Sequence, residues 1–280
     1  MGFLTGEKAS INGWSCLRRW RIQHTSPGVG GVCSSSDGGP HLLAGNEDWK
    51  GVARGVNYPT VDPGDTFEFN GEIGSDVAGP STGENGAIVD RVRLYWNVEA
   101  GEILFYDIWF SGASGALTMG SGEGADGGAI TPISTKDMQF YIEDSGDGGK
   151  INIRSAWLEV AKQNAAYVDS GTSGLVARAA GTPTGRFWVD MYFSAMTELP
   201  SVGDHKEIRG YVDSDETLYY QLKYGLIEDV TPEIITETDQ AGRPQGNHAI
   251  IQGTFSGWYG TTQGQIGTPT NGESVVAIWD

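Results

Sequence analysis

Histidine and cysteine are the residues from which metal or nucleophilic chemistry would be built, and here they are few and scattered. His24, His41, His205 and His248 lie in four separate contexts. None forms the His-x-His or His-Glu-x-x-His spacing that gathers imidazoles around a metal. Cys16 and Cys33 have no third or fourth cysteine to complete a structural zinc site. The run Asp144-Ser145-Gly146-Asp147-Gly148-Gly149 begins like a calcium loop. It lacks the bidentate Glu that would close one, and it reads as a hairpin turn. Gly120-Ser121-Gly122-Glu123-Gly124 is rich in glycine, but no helix follows to present its N-terminus to a phosphate, and nearby carboxylates would repel one.

Paired carboxylates would be the signature of a glycosidase. Asp and Glu are spread over turns and strands alike, and no pair stands out. Nine tryptophans could stack on sugars. Trp20, Trp96, Trp109, Trp157 and Trp188 lie in apolar strand patterns, where core packing is the default. Trp14, Trp49, Trp258 and Trp279 are less clearly placed. No catalytic constellation emerges, so the sequence points to a structural protein with no cofactor and not to an enzyme.

The elements available to position side chains are short strands. Of 280 residues 43 are Gly, and aromatic and β-branched residues fall in brief runs between Gly, Asp, Asn, Ser and Pro clusters. The formal charge of −18 (18 basic, 36 acidic) argues against a protein that grips phosphates, because that affinity comes from Lys and Arg. Acidity also serves solubility alone. The opening residues lack the basic and apolar regions of a secretion signal. No run approaches the roughly 18 apolar residues that span a bilayer. The two thiols are therefore expected to be reduced, in a protein made in the cytoplasm.

Thr66 to Ile73 places Phe67, Phe69 and Ile73 on one strand face, and Ile88, Val92, Leu94 and Trp96 alternate likewise, with Asp90 intruding. Ile103 to Phe110 is apolar at nearly every position, as in a strand covered on both faces. Ser155 to Val168 has the best helical propensity and is compatible with a short helix or a continued strand.

The second half echoes the first. Gly64-Asp65 with Gly71 matches Gly203-Asp204 with Gly210; Val32-Cys33-Ser34 matches Val168-Asp169-Ser170; Trp49 matches Phe187-Trp188; Phe110-Ser111-Gly112 matches Phe255-Ser256-Gly257. The order is kept and the spacing is nearly constant, which indicates a duplication: a first β domain over 1–118, a Gly-rich linker over 119–136, and a second β domain over 137–280. Residues 225–247 read as an insertion of the second half, a docking arm.

Cys16, Trp20, Asp48-Trp49-x-Gly51, Pro63-Gly64-Asp65-x-Phe67-x-Phe69-x-Gly71, Ala87-Ile88-Val89-Asp90, Trp96-Asn97 and Phe110-Ser111-Gly112 follow one another in an order that resembles the tail-tube (major tail) proteins of long-tailed bacteriophages. The resemblance covers roughly Ala9 to Leu117, with an echo over Ile151 to Gly260. It implies an all-β fold, a duplicated two-sheet sandwich or partial barrel with at most a short helix per half. It also implies a virion protein assembled in the host cytoplasm, whose rings stack into a tube through which DNA passes unbound, in contact with other tail proteins and no membrane. With two units per chain, three chains complete a ring. Glu68, Glu72 and Glu207 are the lumen-facing candidates, and Glu228, Asp229, Ile234, Ile235 and Arg243 the ring-stacking candidates. A capsid decoration protein and a glycan-binding or glycan-cleaving β-sandwich are the alternatives.

Overall fold

The structure, a computed structural model, describes residues 2–6, 8–11, 17–31, 41–59, 61–72, 78–113, 116–122, 131–136, 138–143, 150–172, 174–192, 201–212, 216, 219–238 and 244–258. Among the described residues there are β-strands and no helix. The first half contributes β3 (Leu17–Thr25), β6 (Asp48–Val56), β11 (Phe105–Gly112) and β10 (Ala87–Asn97), hydrogen-bonded in that order. The second half contributes β15 (Ile153–Lys162), β18 (Pro183–Tyr192), β21 (Pro244–Trp258) and β20 (Tyr219–Thr238), again in that order. The two blocks have the same strand order. They are joined edge to edge, because β10 pairs with β15 from Arg91 opposite Ala161 to Asn97 opposite Ser155.

The repeat extends to register. Ile22, Gly51, Phe110 and Val89 form one row across the first block, and Leu158, Phe187, Phe255 and Ile227 form its counterpart. A β-bulge at Asp90 recurs at Glu228, and one at Arg18 recurs at Arg154. The turn before each third strand is also repeated. Gly64 N–H donates to Val89 O and Val89 N–H to Asp65 O; Gly203 N–H donates to Ile227 O and Ile227 N–H to Asp204 O. Gly64 and Gly203 share a φ of +94°, which only glycine adopts without strain.

The remaining strands cover edges and faces. β1 (Gly2–Gly6) lies on the outer edge of β3; β19 (His205–Tyr211) lies on β20 and leads to β13 (Phe140–Ile142) and β14 (Lys150–Ile151); β7 (Thr66–Phe67) pairs with the start of β10. A separate sheet of β12 (Thr118–Gly122), β9 (Ala78–Ser81), β8 (Phe69–Glu72) and β2 (Lys8–Ile11) roofs the first block. Two-stranded hairpins follow β3 and β15 alike: β4 (Gly28–Gly31) with β5 (His41–Ala44), and β16 (Ala165–Tyr167) with β17 (Ala177–Ala179).

Strand alternation sends one face of the large sheet into a continuous core. Trp20 meets Phe69 edge-on, and Phe110 packs among Phe67, Phe69 and Trp49. Trp96 bridges the halves: it touches Phe140, Phe187 and Tyr220, and its Nε1–H donates to Tyr211 O at 2.7 Å. Each such side chain contributes about 1.5–3 kcal/mol by leaving water.

One open reading is settled and two expectations change. Ser155 to Lys162 belongs to strand β15, since pairing with both β10 and β18 outweighs the helical propensity of its Ala, Leu, Glu and Lys. Residues 225–238 and 244–247 belong to the paired strands β20 and β21 and not to an excursion unique to the second half. Ile227 to Ile235 corresponds to Val89 to Asn97, and the difference is a longer hairpin, whose pairing runs on past Ile235 to Thr238 opposite Pro244. Gly51 rather than Trp49 is the counterpart of Phe187. Cys16, Cys33, residues 123–130 of the 119–136 linker, the 144–149 turn, Trp14 and Trp279 lie outside the described residues, while 119–122 of that linker belong to β12.

Candidate functional site

The other face of the large sheet, opposite the core, is half-exposed, and it holds the molecule's most organised polar chemistry. On this face β10 presents Arg91, Arg93 and Tyr95, β11 presents Phe105, Asp107 and Trp109, and β6 presents Lys50, Val52 and Arg54. β15 presents Trp157 and Glu159, and β18 presents Arg186, Trp188 and Asp190. Trp109, Trp157 and Trp188 were expected in the core; one position of alternation places them outside, and only Trp20 and Trp96 of that group are fully buried.

Guanidinium groups on this face are met by carboxylates. Arg54 donates to both oxygens of Asp107 at 2.7 Å, and Tyr95 Oη donates to the same carboxylate at 3.1 Å. Arg93 donates through Nε to Glu159 at 2.8 Å, and Arg91 lies 3.3 Å from that carboxylate. On the β18 side, Arg154 spans Glu99 at 2.9 Å and Asp190 at 3.4 Å. The bond to Asp107 raises the Arg54 pKa above its ordinary value. Burial works against the charge of Arg93, but Glu159 outweighs it and holds the pKa up. Burial, with Asp107 beside it, raises the Tyr95 phenol, which therefore stays a donor.

Aromatic rings lie between these ion pairs. Arg91 sits 3.8 Å from the Trp109 ring centroid, Arg93 4.6 Å from Trp157 and Arg54 4.6 Å from Phe105. Tyr95 stacks on Phe105 at 4.7 Å, and Trp157 is nearly parallel to Trp188 at 6.3 Å. Stacking fixes each guanidinium while its charge is neutralised sideways. A shallow hollow lined by Arg21, Gln23, Lys50, Val52 and Trp109 opens at the β3 end. The result is a face on which Arg54, Arg91 and Arg93 are each paired with a carboxylate and stacked on an aromatic ring. Asp90, which looked out of place in the β10 pattern, is the bulge residue, and its carboxylate accepts from Ser111 Oγ at 3.0 Å and Asn164 Nδ2 at 2.7 Å.

The candidates from sequence do not share one surface. Glu68 lies between β7 and β8 and accepts from Asn70 at 3.0 Å; Glu72 ends β8 in the roofing sheet; Glu207 sits in β19, paired with Arg209. Of the stacking candidates, Glu228 pairs with Arg186 at 3.0 Å, Asp229 is exposed beside it, and Ile234 and Ile235 continue β20 at the sheet edge. Arg243 and the side chains of Glu72, Ile234 and Ile235 are outside the described set. Among the described residues no group of three or more His, Cys, Asp and Glu is placed to hold a metal, and no helix is long and apolar enough to cross a membrane. No protein-family model matches the chain, and no curated protein matches its sequence significantly.

Proposed function

We propose that the chain is a self-assembling structural subunit whose duplicated sheet continues from copy to copy into a closed ring, the tail tube of a long-tailed bacteriophage. One observation carries the reading: two blocks of identical strand order and register already join edge to edge within one chain. A joint that works once between β10 and β15 can be repeated between copies, and head-to-tail contacts of this kind close when the rotation per unit divides the circle. If a ring holds six units, three chains complete it. Rings stack into a tube in the virion tail, assembled in the host cytoplasm beside other tail proteins, and DNA passes through without specific binding.

In this reading the open face lines the lumen, in place of Glu68, Glu72 and Glu207. Phosphates bind where cations are available. Arg54, Arg91 and Arg93 are instead committed to Asp107 and Glu159. Negative-stain microscopy of the concentrated protein tests the proposal. Rings of three chains with pseudo-sixfold outline are expected; true sixfold rings of whole chains, or no rings at all, refute it.

A further inference from the structure

The internal joint serves as a template for the joint between copies, and the proposal that follows rests on the ring reading. By the repeated register, β20 residues Asp229 to Ile235 stand where Arg91 to Asn97 stand in β10, and β3 residues Arg19 to Thr25 stand where Ser155 to Ala161 stand in β15. Carrying over the β10–β15 pairing sets Val230 opposite His24, Thr231 opposite Gln23, Pro232 opposite Ile22, Glu233 opposite Arg21 and Ile234 opposite Trp20 of a second copy. Among the described residues the far part of β20 pairs only with β21.

Charge supports the match. The β3 edge carries Arg18, Arg19 and Arg21, all exposed, and the β20 edge carries Glu228, Asp229 and Glu233, also exposed. Within the chain, Arg154 at the β15 bulge binds Glu99 beyond the end of β10. Arg18 occupies the equivalent bulge, and the sequence places Glu237 at the position equivalent to Glu99. Oppositely charged residues directly across a strand pair stabilise it, and like charges destabilise it.

The β3 edge is not open in the single chain, because β1 covers it. Gly2 lies opposite His24, Phe3 opposite Gln23, Leu4 opposite Ile22, Thr5 opposite Arg21 and Gly6 opposite Trp20, antiparallel. These are the rungs assigned above to Val230–Ile234 of a second copy. β1 is five residues long, begins and ends in glycine, and has β3 as its sole strand partner among the described residues. Glycine weakens a strand, so this is a cover that a better-matched strand can replace. We propose that β1 is an internal stand-in for β20 of a second copy: it shields the basic β3 edge of the single chain and yields that edge to Asp229–Ile235 of the next chain during assembly.

The test is sedimentation velocity across a concentration series, with circular dichroism to verify folding. It compares the intact chain, a deletion of residues 2–6, Leu4→Pro, the single reversals Arg21→Glu and Glu233→Arg, and the double reversal. Unmasking β3 by deletion or by Leu4→Pro should strengthen self-association about tenfold or more. Each single reversal should weaken it by about three- to fivefold, as expected for one cross-strand pair, and the double reversal should restore it. Hydrogen exchange on the intact chain is the second readout: amides in 229–235 should gain protection as concentration rises. Unchanged or weaker association without β1, no rescue by the double reversal, or no added protection in 229–235 overturns the proposal. If rings still form on microscope grids in those cases, the ring reading stands and only the strand-exchange assignment falls.

Discussion

Replacing Gly51 with alanine tests how the first block is packed. A Cβ built at Gly51 falls 2.4 Å from Cε2 and Cζ of Phe110 and 3.0 Å from Cε1, well inside ordinary contact. Phe110 is fully buried and cannot retreat easily, because Phe69, Phe67 and Trp49 stand 5.1, 5.3 and 6.1 Å away, centroid to centroid. Inserting volume into a packed core costs about 1–3 kcal/mol, and a ring held on three sides places Gly51→Ala near the upper end, about 3 kcal/mol. With a urea dependence of about 3 kcal/mol per molar, the unfolding midpoint should fall by about 1 M. Phe110→Leu removes the clashing ring atoms, so Gly51→Ala combined with Phe110→Leu should be more stable than the sum of the two single losses by about 1 kcal/mol or more. Gly83→Ala, where nothing lies within 4 Å of the new methyl, is the control and should stay within about 0.5 kcal/mol of wild type. A Gly51→Ala protein as stable as that control, or strict additivity in the double variant, refutes the reasoning.

Two further substitutions probe polar groups. Tyr220 is fully buried and its Oη finds no hydrogen-bond partner among the described residues, so Tyr220→Phe should leave the melting temperature unchanged or raise it, by at most about 1 kcal/mol of stability. Burial lifts the phenol pKa well above 10.0, so its contribution is fully present below pH 10 and is lost as pH rises from there toward the folded pKa. Wild type should therefore lose more stability than Tyr220→Phe between neutral and strongly alkaline pH, and parallel curves would contradict this. Arg54→Met strips Asp107, whose side chain is 10% exposed, of its bidentate partner. Because Arg54 itself is 41% exposed and screened by water, the expected loss is about 1–2 kcal/mol, recovered in part by adding Asp107→Leu. Thermal melts of the three proteins read both effects.

Much of the first block was legible because its signals are local. The alternation of Val92, Leu94 and Trp96 gave β10 its buried face, although the bulge at Asp90 turns Val89 and not Ile88 into the same core, and Gly64 with Gly203 marked turns whose positive φ demands glycine. Phe110 and Phe255 proved to be true counterparts in register. What failed depended on distant partners. Propensity left 155–162 open between helix and strand, and only flanking strands on both sides decide it. Trp109, Trp157 and Trp188 looked like core residues, since an indole covered by arginine stacking has the same local pattern as one covered by a second sheet. The roles of Glu68, Glu72 and Glu207 could not be read because side-chain direction follows from register. A bulge at position 207 itself shifts that register.

The β10–β15 joint also changes the kinetics of building anything larger. Its two strands belong to one polypeptide, so they meet at the effective concentration of a tether, in the millimolar range for short flexible connections, whatever the amount of protein in solution. That joint forms in a first-order step. Only the joints between chains depend on bimolecular encounter, so a six-unit ring of three such chains requires two second-order additions before it closes, where six separate units would require five.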